Sequence, residues 1–418
     1  MGAYSTRAAE LLVLLAIVGW SPGCGVRQAV PSGEISGPVG ESAMNEFTSF
    51  DEFLETVSAG GSPEHHRRIV EGFNSWTAEE DFPLVEGTRV HFLYLGAGAR
   101  SVSLPGDFNG WDPHADRMAN VEGTDLWYLT KNFPADARLD YKFYVDGRWT
   151  MDTRNPRTMT GGFGPNSEIR MPAYEPPPEI EFRPGISHGT LESHGHENPA
   201  TGDVRTLQVY LPPGYDGGEE KYPTLYVQDG SDYVSLGQIN NVADFLIHEG
   251  RIRKVVMVCI PPVDRGREYS VDETYRDYVV RSVVPWVDAR FRTIRRPEAR
   301  GIMGASLGGL ISAFIAFTHP ETFGHCAGQS TYFGTREDRM IRMFEAGPRK
   351  EIRWYLDAGT YETGEGRSDL LGQNRFVRDL LLEQGYPLVY REYPEGHSWG
   401  NWKAHIDDIL LTFWPAGS

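Results

Sequence analysis

The chain has 418 residues, and its 40 basic and 58 acidic side chains give a formal net charge of -18. This excess of acidic residues argues against a nucleic-acid partner, because phosphate binding needs clustered Lys and Arg. Hydrophobic residues make up 40% and charged residues 23% of the chain, a balance that excludes disordered and multi-span membrane proteins. The length predicts two domains with attached segments.

The first 24 residues have the pattern of a secretory signal. Arg7 precedes an apolar run, Leu11–Val18, which is shorter than the roughly 20 apolar residues that cross a bilayer. Gly23 and Cys24 resemble the end of a bacterial lipoprotein box. This resemblance implies lipidation of Cys24 and export to the periplasm or cell surface, with membrane contact only through the lipid anchor. The alternative is cleavage after a small residue that leaves Cys24 free.

Changes in composition divide the rest of the chain into five segments. Residues 25–47 are rich in Gly, Pro and Ser and predict a tether, whereas residues 48–83 carry apolar residues at helical spacing. Short alternating runs predict an all-β sandwich over residues 84–173. Residues 174–203 hold three consecutive prolines and few aliphatic residues, which predicts a linker. Over residues 204–418 apolar strands alternate with amphipathic helices, the pattern of an α/β domain with a mostly parallel sheet.

Four side chains of metal-binding type occur in the predicted linker, namely His188, His194, His196 and Glu197. Their spacing matches no zinc pattern and no Cys accompanies them, so a solvated polar loop is the better interpretation. The sequence therefore predicts neither a metal site nor a cofactor.

A nucleophile motif stands between a predicted strand and a predicted helix. Gly304–Gly308 reads GASLG and fits G-x-S-x-G, in which glycines permit a tight turn that exposes the central serine. An apolar strand ends at this motif and an apolar helix begins there, which is the context that the motif requires. The pattern predicts Ser306 as a nucleophile.

A serine hydroxyl needs a neighbouring base to take its proton. His397 is the candidate, because it follows the predicted strand over residues 388–392 and precedes a helix. That loop lies at the carboxyl edge of a parallel sheet, where a base would meet the serine. The alternative for His397 is an ordinary surface histidine.

The acid that orients the imidazole is expected between the serine and the histidine in chain order. A predicted strand that runs into a loop offers Asp357, Glu362, Glu365 and Asp369. Asp357 is still on the strand, and Glu362 has the best position at the end of the strand. Glu365 and Asp369 remain alternatives, as does a dyad without an acid.

Charge that develops in the transition state needs backbone donors. The turn at the nucleophile supplies the N–H of Leu307. The loop after the predicted strand over residues 223–227 supplies a second donor, for which Ser231 is the candidate.

Several runs in the second domain carry a family resemblance that spans residues 205–414. The runs LPPGY at 211–215, GASLGG at 304–309, LDAGT at 356–360 and GHSW at 396–399 resemble the esterase D type α/β-hydrolases. This group includes enterochelin esterases and family-1 carbohydrate esterases. The resemblance implies an α/β-hydrolase fold with a Ser nucleophile, a His base and an acidic residue, which correspond to Ser306, His397 and Glu362.

The sandwich carries a second resemblance. The run PGDFNGW at 105–111 and the run YKFYVDGRW at 141–149 resemble the early-set immunoglobulin-like sandwich of family-48 carbohydrate-binding modules. Residues that match the glucan site of those modules are Trp111, Lys142, Trp149 and Asn166. Flat aromatic faces stack on sugar rings while amide and ammonium groups bond hydroxyls. Alternatively, both Trp side chains fill the sandwich core or the domain interface without binding a glycan, although the polar setting of Trp149 favours its exposure.

These features predict a serine carboxylic-ester hydrolase that forms an acyl-enzyme on a small-molecule or polysaccharide ester. An ester of the enterochelin type is the first expectation. A feruloyl or acetyl ester on a polysaccharide held by the sandwich is the alternative. A third hypothesis is a glycan-binding surface protein without catalytic activity.

Overall fold

The computed structural model describes residues 47–161, 164–335 and 338–417. The predicted signal over residues 1–24, including Cys24, and the predicted tether up to residue 46 lie outside these residues, so export and lipidation stay predictions. None of the helices in the described ranges has the length and hydropathy that crossing a bilayer requires.

Two helices open the described chain, α1 (Phe50–Ser58) and α2 (Pro63–Trp76). The hydroxyls of Ser49 and Ser62 accept backbone N–H groups of the first turns, which satisfies donors that have no partner within a helix. The apolar faces of both helices pack against the strands that follow. The helical spacing predicted over residues 48–83 is confirmed in this part of the chain.

An all-β region follows, which we call the β-module (residues 84–171). Its strands form three antiparallel sheets in the orders β1-β2-β5-β4, β6-β10-β9 and β3-β7-β8. Their apolar side chains share one buried core. The ten strands are β1 (Leu84–Glu86), β2 (Arg89–Leu95), β3 (Val102–Ser103), β4 (Ala119–Asn120), β5 (Leu126–Asn132), β6 (Arg138–Tyr141), β7 (Phe143–Val145), β8 (Arg148–Thr150), β9 (Thr158–Gly161) and β10 (Gly164–Arg170).

The second half of the chain, the α/β region (residues 190–417), is built on one eight-stranded sheet in the order β11-β12-β14-β13-β15-β16-β17-β18. The first two strands pair antiparallel, and the six from β13 to β18 run parallel to one another. This arrangement confirms the predicted α/β fold with a mostly parallel sheet. The strands are β11 (Thr190–Glu197), β12 (Val204–Leu211), β13 (Thr224–Gln228), β14 (Val256–Ile260), β15 (Arg300–Ala305), β16 (His325–Gln329), β17 (Arg353–Gly359) and β18 (Leu388–Tyr393).

Helices cover both faces of this sheet. In β14, Val258 and Met257 point into different apolar clusters, because successive side chains of a strand face opposite sides. Burial on both faces explains why these strands read as continuous apolar runs. The helices of the α/β region are α3 (Gly230–Ser235), α4 (Ile239–His248), α5 (Arg265–Glu268), α6 (Glu273–Tyr278), α7 (Val284–Arg290), α8 (Leu307–Thr318), α9 (Arg339–Ala346), α10 (Leu370–Glu383), α11 (Trp399–Ala404) and α12 (Ile406–Phe413).

The predicted linker over residues 174–203 is wrong in its second half. Thr190–Glu197 forms the edge strand β11, and all eight residues pair with β12. An edge strand needs little apolar surface, so the polar sequence of β11 shows no apolar pattern from which a strand could be predicted. His194 and His196 therefore lie on a strand and not in a loop, and His196 is buried with its Nδ1 2.9 Å from the Tyr278 hydroxyl. In the part of the chain that the structure describes, no group of three His, Cys, Asp or Glu side chains could hold a metal ion.

Candidate active site

Ser306 occupies a strained turn between β15 and α8. Its φ of 56° and ψ of -120° place a non-glycine residue in a sparsely populated conformation, which persists only where the surroundings enforce it. A Cβ built on Gly304 would lie 2.4 Å from the backbone of Gly308. Close backbone approach therefore requires a glycine at position 304, and a Cβ on Gly308 would lie 2.9 Å from Asp229 Oδ2. The turn presents the Ser306 hydroxyl beyond the carboxyl end of the sheet.

His397 lies between the serine hydroxyl and a carboxylate. Ser306 Oγ is 3.0 Å from His397 Nε2, and His397 Nδ1 is 3.1 Å from Glu362 Oε2. Because a carboxylate accepts, Nδ1–H is assigned as the donor to Glu362, and Nε2 is left to accept the Ser306 proton. The three residues follow β15, β17 and β18, whose carboxyl ends meet at one edge of the sheet.

Glu362 is buried and accepts several hydrogen bonds besides that of His397. The Gly359 N–H donates to Oε1 at 3.0 Å, Asn401 Nδ2 donates at 3.4 Å, and the Ser330 hydroxyl donates as well. These donors compensate a buried carboxylate for its lost hydration. They all bind Oε1, which leaves Oε2 to accept from His397 Nδ1.

The alternative acids have other partners. Asp369 caps the N-terminus of α10 by accepting from the Gly372 N–H, and Glu365 is exposed. Asp357 is buried and accepts from the Ser330 N–H and from Gln329 Nε2, and burial raises its pKa to about 7. Of the four acids that the sequence offered, the structure brings Glu362 to the imidazole.

Glu362→Gln is expected to lower kcat by about three to four orders of magnitude, because an amide no longer orients and stabilises the imidazolium. Steady-state hydrolysis of p-nitrophenyl acetate measures the loss. Glu365→Gln makes the same chemical change three residues away on an exposed side chain and should stay within about twofold of wild type. A large loss in Glu365→Gln with an active Glu362→Gln would contradict this choice of acid.

The two predicted backbone donors lie on neighbouring strand-to-helix turns. Leu307 is the first residue of α8 and Ser231 the second of α3, and the first N–H groups of a helix have no acceptor within it. The preceding strands, β15 and β13, are adjacent and parallel. Arg265 binds Asp229 on one turn and donates to the Ala305 carbonyl on the other, so the two turns are held together.

A cavity of about 970 Å³ opens above the serine, and both halves of the molecule line it. The β-module contributes Asp107, Asn109, Gly110, Trp111, Lys142, Trp149 and Asn166. The α/β region contributes Ser306, Tyr332, Tyr361, Glu362, Thr363, Gly364, Ser368, Leu370, His397 and Ser398. The four side chains predicted as a separate glycan site thus belong to the same cavity as the catalytic candidates.

The β-module wall is aromatic and polar. Trp149 is 50% exposed, as its polar setting predicted, and its ring centroid lies 6.3 Å from that of Trp111. Trp111 has a left-handed backbone, with φ 61°. Partial burial lowers the pKa of the Lys142 ammonium, and Asn166 donates to Asp140 at 3.1 Å. Neither Trp is a core residue, which overturns the core position in the alternative. Both line the cavity between the β-module and the α/β region, which agrees with its placement of them at the domain interface.

Sequence reasoning did not find Tyr332 and Tyr361, two residues of the α/β region that also line the cavity. Tyr361 also packs against Phe133 of the β-module, with ring centroids 6.2 Å apart. Neither residue belongs to a motif, and only the packing of the two halves places them beside the serine.

Comparison with protein families agrees with this geometry. A family model described as "Putative esterase" matches residues 198–413. An endo-1,4-beta-xylanase/feruloyl esterase of Xylanibacter ruminicola is 25% identical over 303 residues, covering 69% of this chain and 40% of that protein. An esterase of Mycobacterium tuberculosis is 23% identical over 264 residues, covering 50% of this chain and 56% of that protein.

Among solved structures, the enterobactin esterase of Shigella flexneri, crystallised in the presence of enterobactin, superposes with a TM-score of 0.68. It is 20% identical, and the match covers 81% of this chain and 97% of that one. The shared fold therefore includes much of the β-module as well as the α/β region.

Proposed function

Because this chain belongs to that esterase family and is a carboxylic-ester hydrolase, we propose that it works through an acyl-enzyme formed on Ser306. The observation that carries this proposal is the continuous hydrogen-bonded path from Ser306 through His397 to Glu362. Membership of an esterase family contradicts the third hypothesis, a glycan-binding protein without catalytic activity.

In the first half of the reaction, Ser306 Oγ bonds the ester carbonyl carbon while its proton passes to His397 Nε2. The oxygen of the tetrahedral intermediate carries the negative charge, which the N–H groups of Leu307 and Ser231 would stabilise. Collapse breaks the bond to the alcohol, which leaves with the proton from His397. Water then attacks the acyl-enzyme by the same path, releasing the acid and restoring Ser306.

The substrate we propose is a feruloyl or acetyl ester on a polysaccharide. Trp111 and Trp149 offer ring faces for sugar stacking, and Lys142 and Asn166 offer donors for hydroxyl groups, all in the cavity that holds Ser306. This arrangement lets the β-module hold the alcohol part while the carbonyl meets the serine. The alignment of 303 residues with the xylanase/feruloyl esterase exceeds the length of the α/β region and supports the same substrate class.

An ester of the enterochelin type is the second candidate, reversing the order expected from the sequence. The extended likeness to an enterobactin esterase favours it. A ferric catecholate complex, however, is anionic, and among the described residues that line the cavity Lys142 is the one cation. A site for a highly charged anion would be expected to present several cations.

A hydrolysis panel of methyl ferulate, acetylated xylan and ferric enterobactin tests the two candidates. Preference for either of the first two, by kcat/KM, supports the polysaccharide ester. Preference for ferric enterobactin supports the second candidate and rejects the first. Turnover of p-nitrophenyl acetate with none of the three would reject both substrate classes and leave the serine mechanism standing.

Trp149→Ala is expected to raise KM for a polysaccharide-linked ester by roughly three- to tenfold, the loss of one stacked ring. A small soluble ester such as p-nitrophenyl acetate should be turned over as in wild type, because it does not reach the aromatic wall. Phe376→Ala is the matched control, since Phe376 is also 50% exposed but lies on α10 outside the lining of the cavity. An equal change in both variants would contradict the stacking role.

A further inference from the structure

The loop that carries His397 is held from the β-module as well as from its own sheet. Gly396 precedes His397, and a Cβ built on it would lie 2.1 Å from Asp107 Cγ. Asp107 therefore packs directly on the backbone at Gly396. Ser398 follows His397, and Arg138 donates to its hydroxyl at 3.0 Å. The β-module thus contacts the residue on each side of the catalytic histidine candidate.

Asp107 is buried and uses both of its carboxylate oxygens. Oδ1 accepts from the indole N–H of Trp111 at 3.0 Å, and Oδ2 accepts from the backbone N–H of Asp140 at 2.7 Å. Its side chain is therefore fixed in orientation. One buried carboxylate connects the aromatic wall of the cavity to the backbone beside His397.

Arg138 holds the other side of the loop. Its guanidinium is fully buried between Glu168 and Asp140, with a 2.6 Å contact to each carboxylate. Its backbone N–H donates to the Pro394 carbonyl at 3.2 Å. A Cβ on Gly400 would lie 1.9 Å from the guanidinium carbon, so a glycine is needed there to admit Arg138. Held by two ion pairs, Arg138 is a rigid support for the loop.

We propose that Asp107 and Arg138 are positioning residues that fix the His397 loop, and with it the imidazole, at the distance from Ser306 that proton transfer requires. The inference rests on the proposed function of His397 as the base. A displacement of about 1 Å in a catalytic group costs on the order of a hundredfold in rate. The β-module is then part of the catalytic apparatus as well as of the substrate cavity.

Asp107→Asn tests this role at almost unchanged volume. One oxygen becomes an NH2 group, which faces a donor from Trp111 or Asp140, so the side chain cannot keep both hydrogen bonds. With p-nitrophenyl acetate we expect kcat to fall about ten- to hundredfold while KM stays close to wild type. The second-order rate at which a serine-directed phosphonate labels Ser306 should fall by the same factor.

Asp152→Asn separates positioning from a general loss of stability. Asp152 is another buried carboxylate of the β-module, and it accepts from the Tyr141 hydroxyl and the Arg154 N–H. The unfolding temperature of the Asp152→Asn variant should shift, whereas its kcat and the rate at which its Ser306 is labelled should stay within about twofold of wild type. Equal losses of kcat in Asp107→Asn and Asp152→Asn, or wild-type kcat in Asp107→Asn, would overturn the proposal.

Ser398→Ala tests the contact with Arg138, and it becomes the test of the positioning role if Asp107→Asn does not fold. We expect a severalfold loss of kcat that Ser398→Thr restores, because threonine keeps the hydroxyl acceptor. Unchanged kcat in Ser398→Ala, in the absence of a folded Asp107→Asn, overturns the proposal. If His397→Ala keeps its activity, the proposed function fails and this inference fails with it. If His397→Ala is inactive and Asp107→Asn is as fast as wild type, only the positioning role fails.

Discussion

Ser306→Ala is expected to lower kcat for p-nitrophenyl acetate by about six orders of magnitude, down to the residual rate that binding and backbone donors supply. The reason is that Ser306 Oγ, 3.0 Å away, is the hydroxyl that hydrogen-bonds His397 Nε2 among the residues that the structure describes. The temperature of thermal unfolding should be unchanged or slightly higher, because the Ser306 hydroxyl contributes little to packing. Initial rates and circular dichroism of the same preparation measure both quantities.

Covalent labelling gives an independent check of the nucleophile. A serine-directed phosphonate should add its mass to wild type, at Ser306, and not to Ser306→Ala. Ser75→Ala is a suitable control, because Ser75 lies on the exposed face of α2, and it should be labelled at the wild-type rate. Labelling of Ser306→Ala at another residue, or more than a trace of remaining activity, would reject Ser306.

His397→Ala is expected to lose about as much activity as Ser306→Ala, since the members of a catalytic unit do not act additively. Without the imidazole, Ser306 Oγ loses the base to which it is hydrogen-bonded in the described part of the chain. The Ser306→Ala/His397→Ala double variant should be no slower than either single variant. Single and double variants are compared by kcat with the same soluble ester.

The control for His397 is His65→Ala, an exposed histidine on α2, which should retain wild-type kcat. A double variant that is a further order of magnitude slower than each single variant would show that the two residues act independently. That result would contradict a shared proton path.

Local sequence determined the nucleophile turn. Gly304 is required by the backbone of Gly308, four residues along the chain, so this steric condition acts within the local sequence. His397 could be located by its place after the strand β18, because chain order and the carboxyl edge of a parallel sheet leave few other positions. The alternation of apolar strands and helices likewise predicted the α/β fold, since burial on both faces demands continuous apolar runs.

The local sequence did not decide which acidic residue pairs with His397. Glu362, Glu365 and Asp369 lie within eight residues of one another and have similar local settings. Tertiary packing selects Glu362, because the Gly359 N–H and the side chains of Ser330 and Asn401 converge on its carboxylate. The edge strand β11 escaped prediction for a related reason: pairing with β12 supplies its hydrogen bonds, and no apolar pattern is needed.

The sequence alone determined the fold of the α/β region and the residue types of the site, because turn sterics and hydrophobic periodicity act over a few residues. The packing of the β-module against the α/β region places Trp111, Lys142, Trp149 and Asn166 in one cavity with Ser306, and it brings Asp107 and Arg138 into contact with the loop of His397. These residues lie at least 140 positions apart in the chain, and their proximity depends on how the two packed halves meet, which no local period encodes.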